Sequence, residues 1–284
     1  MAGKMSHRLR ITHRTAYRYA APVRESKNEI RKTPAATPRQ KVRVARLTVD
    51  PTPTHRASYR DYFGTVVERF EVSGQHDHLA VEHFSEVDLD AQAELREPGQ
   101  AATLRKDTAT EYLFRSPMCD TGDDVRALAS ELRRGEIIDT IEAVVSWMRH
   151  EMRYDKETTI VGTPIEEVLS HRSGVCQDYA HLACALLREC GIPARYVSGY
   201  FAPKELAVGD RVEAESHAWI EAFLEGWGWW AADITNDLPI SERHVKVGHG
   251  RDYSDVIPFH GLHVGDAEQE LEVNVLIERL PAQG

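Results

Sequence analysis

Gly174-Val175-Cys176-Gln177-Asp178-Tyr179-Ala180-His181 is the stretch that decides how this chain is read. Ser173-Gly174 is a helix-start signal. From Tyr179 the apolar residues Tyr179, Leu182, Ala183, Leu186, Leu187 and Cys190 recur at three- and four-residue spacing, the period of one helix face. Gly191 and Pro193 close the helix. Cys176 is therefore expected in the first turn of a largely buried helix. Unpaired N–H groups and the helix dipole favour negative charge there. A free thiol titrates near about 8.5, and a helix N-terminus or a cationic histidine lowers that value. The same N–H groups can receive the oxyanion of a tetrahedral intermediate. A lone cysteine is more often a small buried hydrophobe, so the nucleophile reading depends on the residues further along the chain.

Those residues are Ser216-His217-Ala218-Trp219 and then Asp233. From His217 to Leu224 the residues alternate, with Ala218, Ile220, Ala222 and Leu224 on one side and His217, Trp219, Glu221 and Phe223 on the other. That is a strand pattern. Glu225-Gly226 breaks it, and Gly228 to Asp233 reads as the return strand. A tight antiparallel hairpin places His217 and Asp233 opposite one another to within a residue or two of register, with cross-strand Cβ atoms roughly 5 Å apart. An aspartate so placed can hold one imidazole nitrogen and leave the other for a thiol, the geometry of a nucleophile, a base and an orienting acid. Taken singly, His217 also fits a structural hydrogen-bonder and Asp233 a turn residue. The conjunction favours catalysis.

These residues resemble the bacterial transglutaminase-like family, whose core belongs to the papain-like cysteine enzymes. The matching stretches are Gly174 to His181, Gly191-Ile192-Pro193-Ala194-Arg195-Tyr196-Val197-Ser198-Gly199-Tyr200, His217-Ala218-Trp219 and Asp233-Ile234-Thr235-Asn236. The resemblance implies Cys176 as nucleophile, His217 as general base and acid, and Asp233 as the orienting acid. Ile11 to Tyr19 and Asp61-Tyr62-Phe63-Gly64 look like the β-rich N-terminal region found in many bacterial members. Arg251 to Val256 and the strand near Val273 to Ile277 look like the usual ending. Ile234 departs from the family, which commonly has proline there. The resemblance implies a thioester intermediate formed from a carboxamide or peptide bond. The acyl group then passes to an amine (transglutamination) or to water (amidase or peptidase chemistry). A non-catalytic binding or accessory module on the same fold is the rival from another class.

The 284 residues suffice for two compact units and one substantial core. We expect a β-rich N-terminal domain with its connection over 1–115 and a transglutaminase-like catalytic domain over 116–284. Within the first, residues 7 to about 90 read as antiparallel strands, and residues 91–118, with Glu97-Pro98-Gly99, as a connection. Helices are expected over 123–134, 136–153 and 164–170, with Ile137, Ile138, Ile141, Val144, Val145 and Met148 as a core stripe in the second. Strands start from Ala194, His217, Gly228 and Leu271. Helices followed by an antiparallel sheet make the fold α+β.

No run of about 18 apolar residues suggests a membrane span. The segment Met1 to Arg8 has no apolar signal core behind it, so the expected compartment is the cytoplasm. The cysteines at 119, 176, 184 and 190 form no C-x-x-C pair, which argues against a disulfide framework or a structural zinc site. Nothing in the motifs calls for a cofactor. His244, His249, His260 and His263 are loosely spaced and are expected in loops rather than around a metal. Asp178 and His181 are expected to support the helix start or the site wall. Trp227, Trp229 and Trp230 suit either a substrate groove or hairpin packing.

Residues 1–60 hold 15 Lys/Arg and 3 Asp/Glu, while the whole chain carries a net charge of -10. Because Arg8, Arg10, Arg14 and Arg18 alternate with Leu9, Ile11, Tyr17 and Tyr19, the basic residues read as the solvated face of a strand and not as a nucleic-acid site. The opposite charges offer a way for the two regions to dock, or for subunits of a homo-oligomer to mate. The partners implied by the resemblance are a peptide or protein amide and an amine acceptor.

Overall fold

The structure, a computed structural model, describes residues 6–90 and 109–281. The connection expected over 91–118 falls mostly outside them. Its described part, 109–118, contains the 3-10 turn Glu111–Leu113. Strands β1 (Ser6–Ile30), β2 (Gln40–Asp50), β3 (His55–Arg60) and β4 (Val66–Asp90) come first. Helices α1 (Asp123–Leu132) and α2 (Ile137–Glu151), strand β5 (Arg153–Tyr154), helix α3 (Ile165–His171), strand β6 (Ser173–Gly174) and helix α4 (Cys176–Glu189) come next. The chain ends in β7 (Ala194–Phe201), β8 (Arg211–Ala214), β9 (Ser216–Leu224), β10 (Gly228–Asp233), β11 (Leu238–Pro239), β12 (His244–Gly250), β13 (Phe259–His263) and β14 (Gln269–Leu280). The fold is α+β, as the order of elements suggested.

Two antiparallel sheets take all of these strands except β5 and β6, which pair with each other in parallel. The larger runs β2-β4-β1-β14-β8, with β13 on β1 and β3 on β4. The smaller runs β11-β10-β9-β7-β12. The last long strand returns to the first, pairing Ile11 with Ile277 and Tyr19 with Gln269. The expected units 1–115 and 116–284 thus share a sheet.

Charge matches across this return. Arg10 pairs with Glu86 on β4 and Glu278 on β14, and Arg14 with Glu272 on β14. Arg8 corrects the expectation of a solvated arginine face. It is 6% exposed and bound to Asp88 at 2.6 Å, because a strand covered on both sides cannot leave its polar alternates in water.

Helix α4 is the centre of the core. Its residues from Asp178 to Arg188 are buried without interruption, so the apolar period seen in the sequence marks only its most hydrophobic side. One side of α4 meets Ala194, Tyr196, Ala218, Ile220 and Ala222 of the smaller sheet. Around it lie Val125 and Ala129 of α1, Ile141, Val144 and Met148 of α2, and Val168 of α3. Each such fully buried aliphatic side chain contributes about 1.5–3 kcal/mol. Ile137 and Ile138, expected in the core stripe, are 44% and 43% exposed; they occupy the first turn of α2, which projects past its neighbours. Gly191 ends α4 at φ 82°, a conformation that costs a side-chain-bearing residue energy.

The far face of the smaller sheet packs on the larger one. Tyr200, Val245 and Val247 meet Leu9, Ile11, Val87, Val275 and Ile277. Gly199 on β7 permits this layer to close. A Cβ there would lie 2.2 Å from the Val245 carbonyl oxygen and 2.5 Å from the Trp219 indole. Neither neighbour is a flexible chain end. Gly199→Ala is therefore expected to destabilise the protein by about 1–3 kcal/mol, read as a thermal midpoint several degrees lower. An unchanged midpoint would show that the sheet shifts freely at this point.

Candidate active site

Cys176 is the first residue of α4. The carboxylate of Asp178 accepts from the Val175 N–H at 2.8 Å and from the Thr159 hydroxyl at 2.6 Å, tying down the chain just before the helix. Gly174 is required by the same arrangement, since a Cβ at that position would sit 2.5 Å from the Asp178 carboxylate. The expectation that Asp178 supports the helix start is met by this contact. His181, one turn on, is buried against Tyr196, and its Nε2 accepts from the Tyr253 N–H at 3.1 Å. Burial lowers its imidazole to about 4. It is a neutral structural side chain.

The β9–β10 hairpin pairs Ala232 with Ile220 and Gly228 with Leu224. Its register centres one residue beyond the expected midpoint, so Asp233 lies diagonally across from His217 on the same face. The pair still meets: His217 Nε2 is 2.8 Å from Asp233 Oδ2. The other ring nitrogen, Nδ1, is left for the Cys176 thiol, which lines the same groove as this imidazole and favours its charge. Burial works against charge on His217, but the Asp233 bond and the nearby thiol more than offset it and raise the imidazole to about 9. Asp233 is 1% exposed. Burial opposes its charge too, yet hydrogen bonds from His217 and His244 hold its carboxyl well below the usual carboxylate range. The structure thus brings together Cys176, His217 and Asp233.

Two further residues complete the surroundings of Asp233 and were not assigned to the site from sequence. Asn236 donates its backbone N–H to Oδ1 at 3.1 Å and its amide to Oδ2 at 2.8 Å. His244 Nε2 lies 3.1 Å from Oδ2. Here the loop expectation for the histidines is corrected. His244 and His249 lie on β12 and His260 and His263 on β13. The stretch His244-Val245-Lys246-Val247-Gly248-His249-Gly250 is too polar and glycine-rich to read as a strand, but β7 supplies its hydrogen bonds and the larger sheet covers it. His217, Asp233 and His244 bring three potential metal-ligating atoms within 4.8 Å of one another. Both ring nitrogens face one carboxylate oxygen at hydrogen-bond distances, so the trio is a hydrogen-bonded cluster; a cation would have to displace both N–H protons.

Cys176 and His217 open into a groove of about 650 Å³. Tyr154 and Lys156 line one side, Phe201 and Asn236 another, and Val273, Asn274 and Val275 of the larger sheet close it. β5 pairs in parallel with β6, which sets Tyr154 beside Gly174. Ile234, the departure from the family pattern, is 3% exposed and packs in the core beneath the site. Of the tryptophans, Trp229 is buried under the Arg195 guanidinium and Trp230 packs on the core, while Trp227 is 57% exposed. None of them lines the groove.

Comparison with known proteins identifies the family and the fold. The model of the transglutaminase-like superfamily matches residues 126–234, and that of the bacterial transglutaminase-like N-terminal region matches residues 9–88. The uncharacterized protein ML0607 of Mycobacterium leprae is 38% identical over 281 residues, covering 96% of this chain and 99% of its own. A protein-glutamine gamma-glutamyltransferase of Pseudomonas aeruginosa is 32% identical over 118 residues, 39% of this chain and 18% of its own. A crystal structure described as a "Putative Cysteine Protease from Cytophaga hutchinsonii" shares the fold with a TM-score of 0.76 at 23% identity, over 99% of this chain and 93% of that one.

Proposed function

This chain belongs to the transglutaminase-like superfamily, and from that premise we propose that it is a cysteine-dependent acyl-transfer enzyme acting on peptide or protein carboxamides. The observation that carries this reading is the meeting of Cys176, at a helix N-terminus, with a His217 imidazole held by buried Asp233. In the proposed reaction the Cys176 sulfur attacks the carbonyl carbon. The oxyanion is received by N–H groups of the first turn of α4, which have no helical acceptor. His217 gives its Nδ1 proton to the departing amine, leaving a thioester on Cys176. The second nucleophile, an amine or water, attacks the thioester while His217 takes its proton and the sulfur leaves. Asp233 keeps the imidazole oriented throughout and stays ionised.

Both acceptors suit the groove. Glu213 on its wall favours a cationic amine, and its opening to solvent admits water. We also retain the cytoplasm as the proposed compartment. The four cysteines are free thiols, as a reducing compartment keeps them, and no helix among the described residues is long and apolar enough to cross a membrane. Cell fractionation tests the placement.

Trapping the acyl-enzyme by mass spectrometry tests the chemistry. The protein is incubated with peptide carboxamide, γ-glutamyl and isopeptide libraries, with and without added amines. The expected result is a mass increase on the Cys176 peptide equal to substrate minus ammonia or amine. Its discharge by added amine marks a transferase, and by water alone a hydrolase. An adduct that persists in Cys176→Ala would overturn the assignment.

A further inference from the structure

His244 is a buried titratable side chain with no part in the proposed reaction, and its hydrogen bonds define its protonation state. The backbone N–H of Ser241 points at Nδ1 from 3.2 Å. The Ser241 hydroxyl lies 3.3 Å from the same nitrogen and, already accepting from the Arg243 N–H, donates to it; Nδ1 is therefore an acceptor and carries no proton. The proton sits on Nε2, which faces Asp233 Oδ2 at 3.1 Å and donates to it. A doubly protonated ring would set two N–H donors against each other at Nδ1. Burial disfavours that cation as well, and the side chain is 1% exposed. The ring is fixed between the Phe201 ring, whose centroid is 4.6 Å away, and the edge of Trp219 at 5.6 Å.

Asp233 Oδ2 consequently accepts from His217, His244 and the Asn236 amide at 2.8, 3.1 and 2.8 Å. Three donors on one oxygen spread its negative charge, and each lowers the affinity of the carboxylate for the others' protons. A carboxylate bound to His217 alone would hold the imidazolium more tightly, making it a poorer acid toward a leaving amine.

We propose that His244 is a positioning residue for the proposed acyl transfer: by donating Nε2–H to the oxygen that holds His217, it fixes the Asp233 carboxylate and limits how firmly that carboxylate retains the imidazolium. The inference rests on the reading of Cys176 and His217 as the reacting pair. Other charged groups near His244 do not substitute for it. Glu221 on β9 is bound by Arg195 of β7 and Lys246 of β12. The Arg243 guanidinium lies over the Phe201 ring. Arg39 and Asp90, from the side of the larger sheet, share with His244 a small cavity of about 70 Å³, but the carboxylate that the imidazole touches is that of Asp233.

The test is a pH titration of ¹⁵N-histidine-labelled protein by NMR on the wild type, His244→Leu and His244→Gln. In the wild type, His244 is expected to be the neutral Nε2–H tautomer throughout the titration of His217. Leucine removes the donor and keeps the bulk, so the His217 midpoint should rise by about half a pH unit. Glutamine places an amide N–H near the position of Nε2 and should return the midpoint to its wild-type value. A role in packing alone would move neither. The proposal is overturned by a protonated or Nδ1–H His244 in the wild type, by a His217 midpoint that stays or falls in His244→Leu, or by a glutamine variant that behaves as leucine does. Should the leucine variant not fold, the wild-type tautomer and the glutamine variant still decide. Iodoacetamide labelling of the same samples separates the two readings. A wild-type Cys176 no more reactive than the other thiols overturns the thiol-enzyme reading, whatever His244 does.

Discussion

Cys176→Ala is expected to abolish acyl transfer while the protein stays folded. The thiol is the only atom of the site proposed to bond to carbon, and loss of a nucleophile from such a unit costs about 10⁶-fold in kcat. The fold should tolerate the change because Cys176 is only partly buried at the mouth of a groove, and alanine keeps its Cβ against the core. Iodoacetamide gives a check that needs no substrate. Cys119 and Cys184 are buried, and burial pushes the Cys119 thiol up to about 11 and the Cys184 thiol further. Cys190 is half-buried, its thiol raised chiefly by that burial, and it donates to the Ala129 carbonyl. Peptide mapping should therefore find Cys176 carboxamidomethylated first. An unreactive Cys176 in the folded protein, with full activity in the alanine variant, would sink the nucleophile assignment.

His217→Ala should be about as damaging, and the double variant with Cys176→Ala no worse than either single one, because the two act as a unit. Asp233→Asn should be milder, on the order of 10⁴-fold, and should show itself in the pH profile. Burial alone would push the His217 imidazole down; the Asp233 bond and the thiol carry it instead to about 9. In the wild type the imidazolium is thus present through neutral pH and lost as pH rises through about 9. That loss sets the alkaline limb of kcat/KM. Asparagine removes the charge that opposes burial, so the alkaline limb should move to lower pH and narrow the bell from that side. Its amide can also present an N–H to His217 Nε2 and so favour the wrong tautomer. An alkaline limb that stays in place in Asp233→Asn would mean that Asp233 does not govern the imidazole. Near wild-type single-turnover acylation by His217→Ala would remove the histidine from the reaction.

The parts of the site legible in the sequence are those built over short spans. The α4 start needed only Ser173-Gly174, the apolar period after Tyr179, and Gly191 with Pro193. The meeting of His217 and Asp233 needed only a strand, a turn and a return strand, whose register a short hairpin fixes to within two residues. Helical period and hairpin register are local consequences of backbone geometry, and they survive whatever packs around them.

Contacts between distant segments were not legible in this way. That β14 would pair with β1, and Arg10 with Glu278, depends on edges matched across almost the whole chain. That Arg8 would be buried depends on the cover over that edge. Cys176 faces His217 because α4 lies across β7 and β9, on the buried Ala194, Tyr196, Ala218, Ile220 and Ala222. His244 reaches Asp233 because β12 joins the far side of β7, folding a polar stretch that has no strand pattern of its own over the same carboxylate. The sequence by itself located the candidate nucleophile, base and acid, through local periodicity, a short hairpin and a family resemblance. Tertiary structure alone decided which side chains share that acid and which strands wall the groove, because those contacts form only where buried faces of remote segments exclude water together.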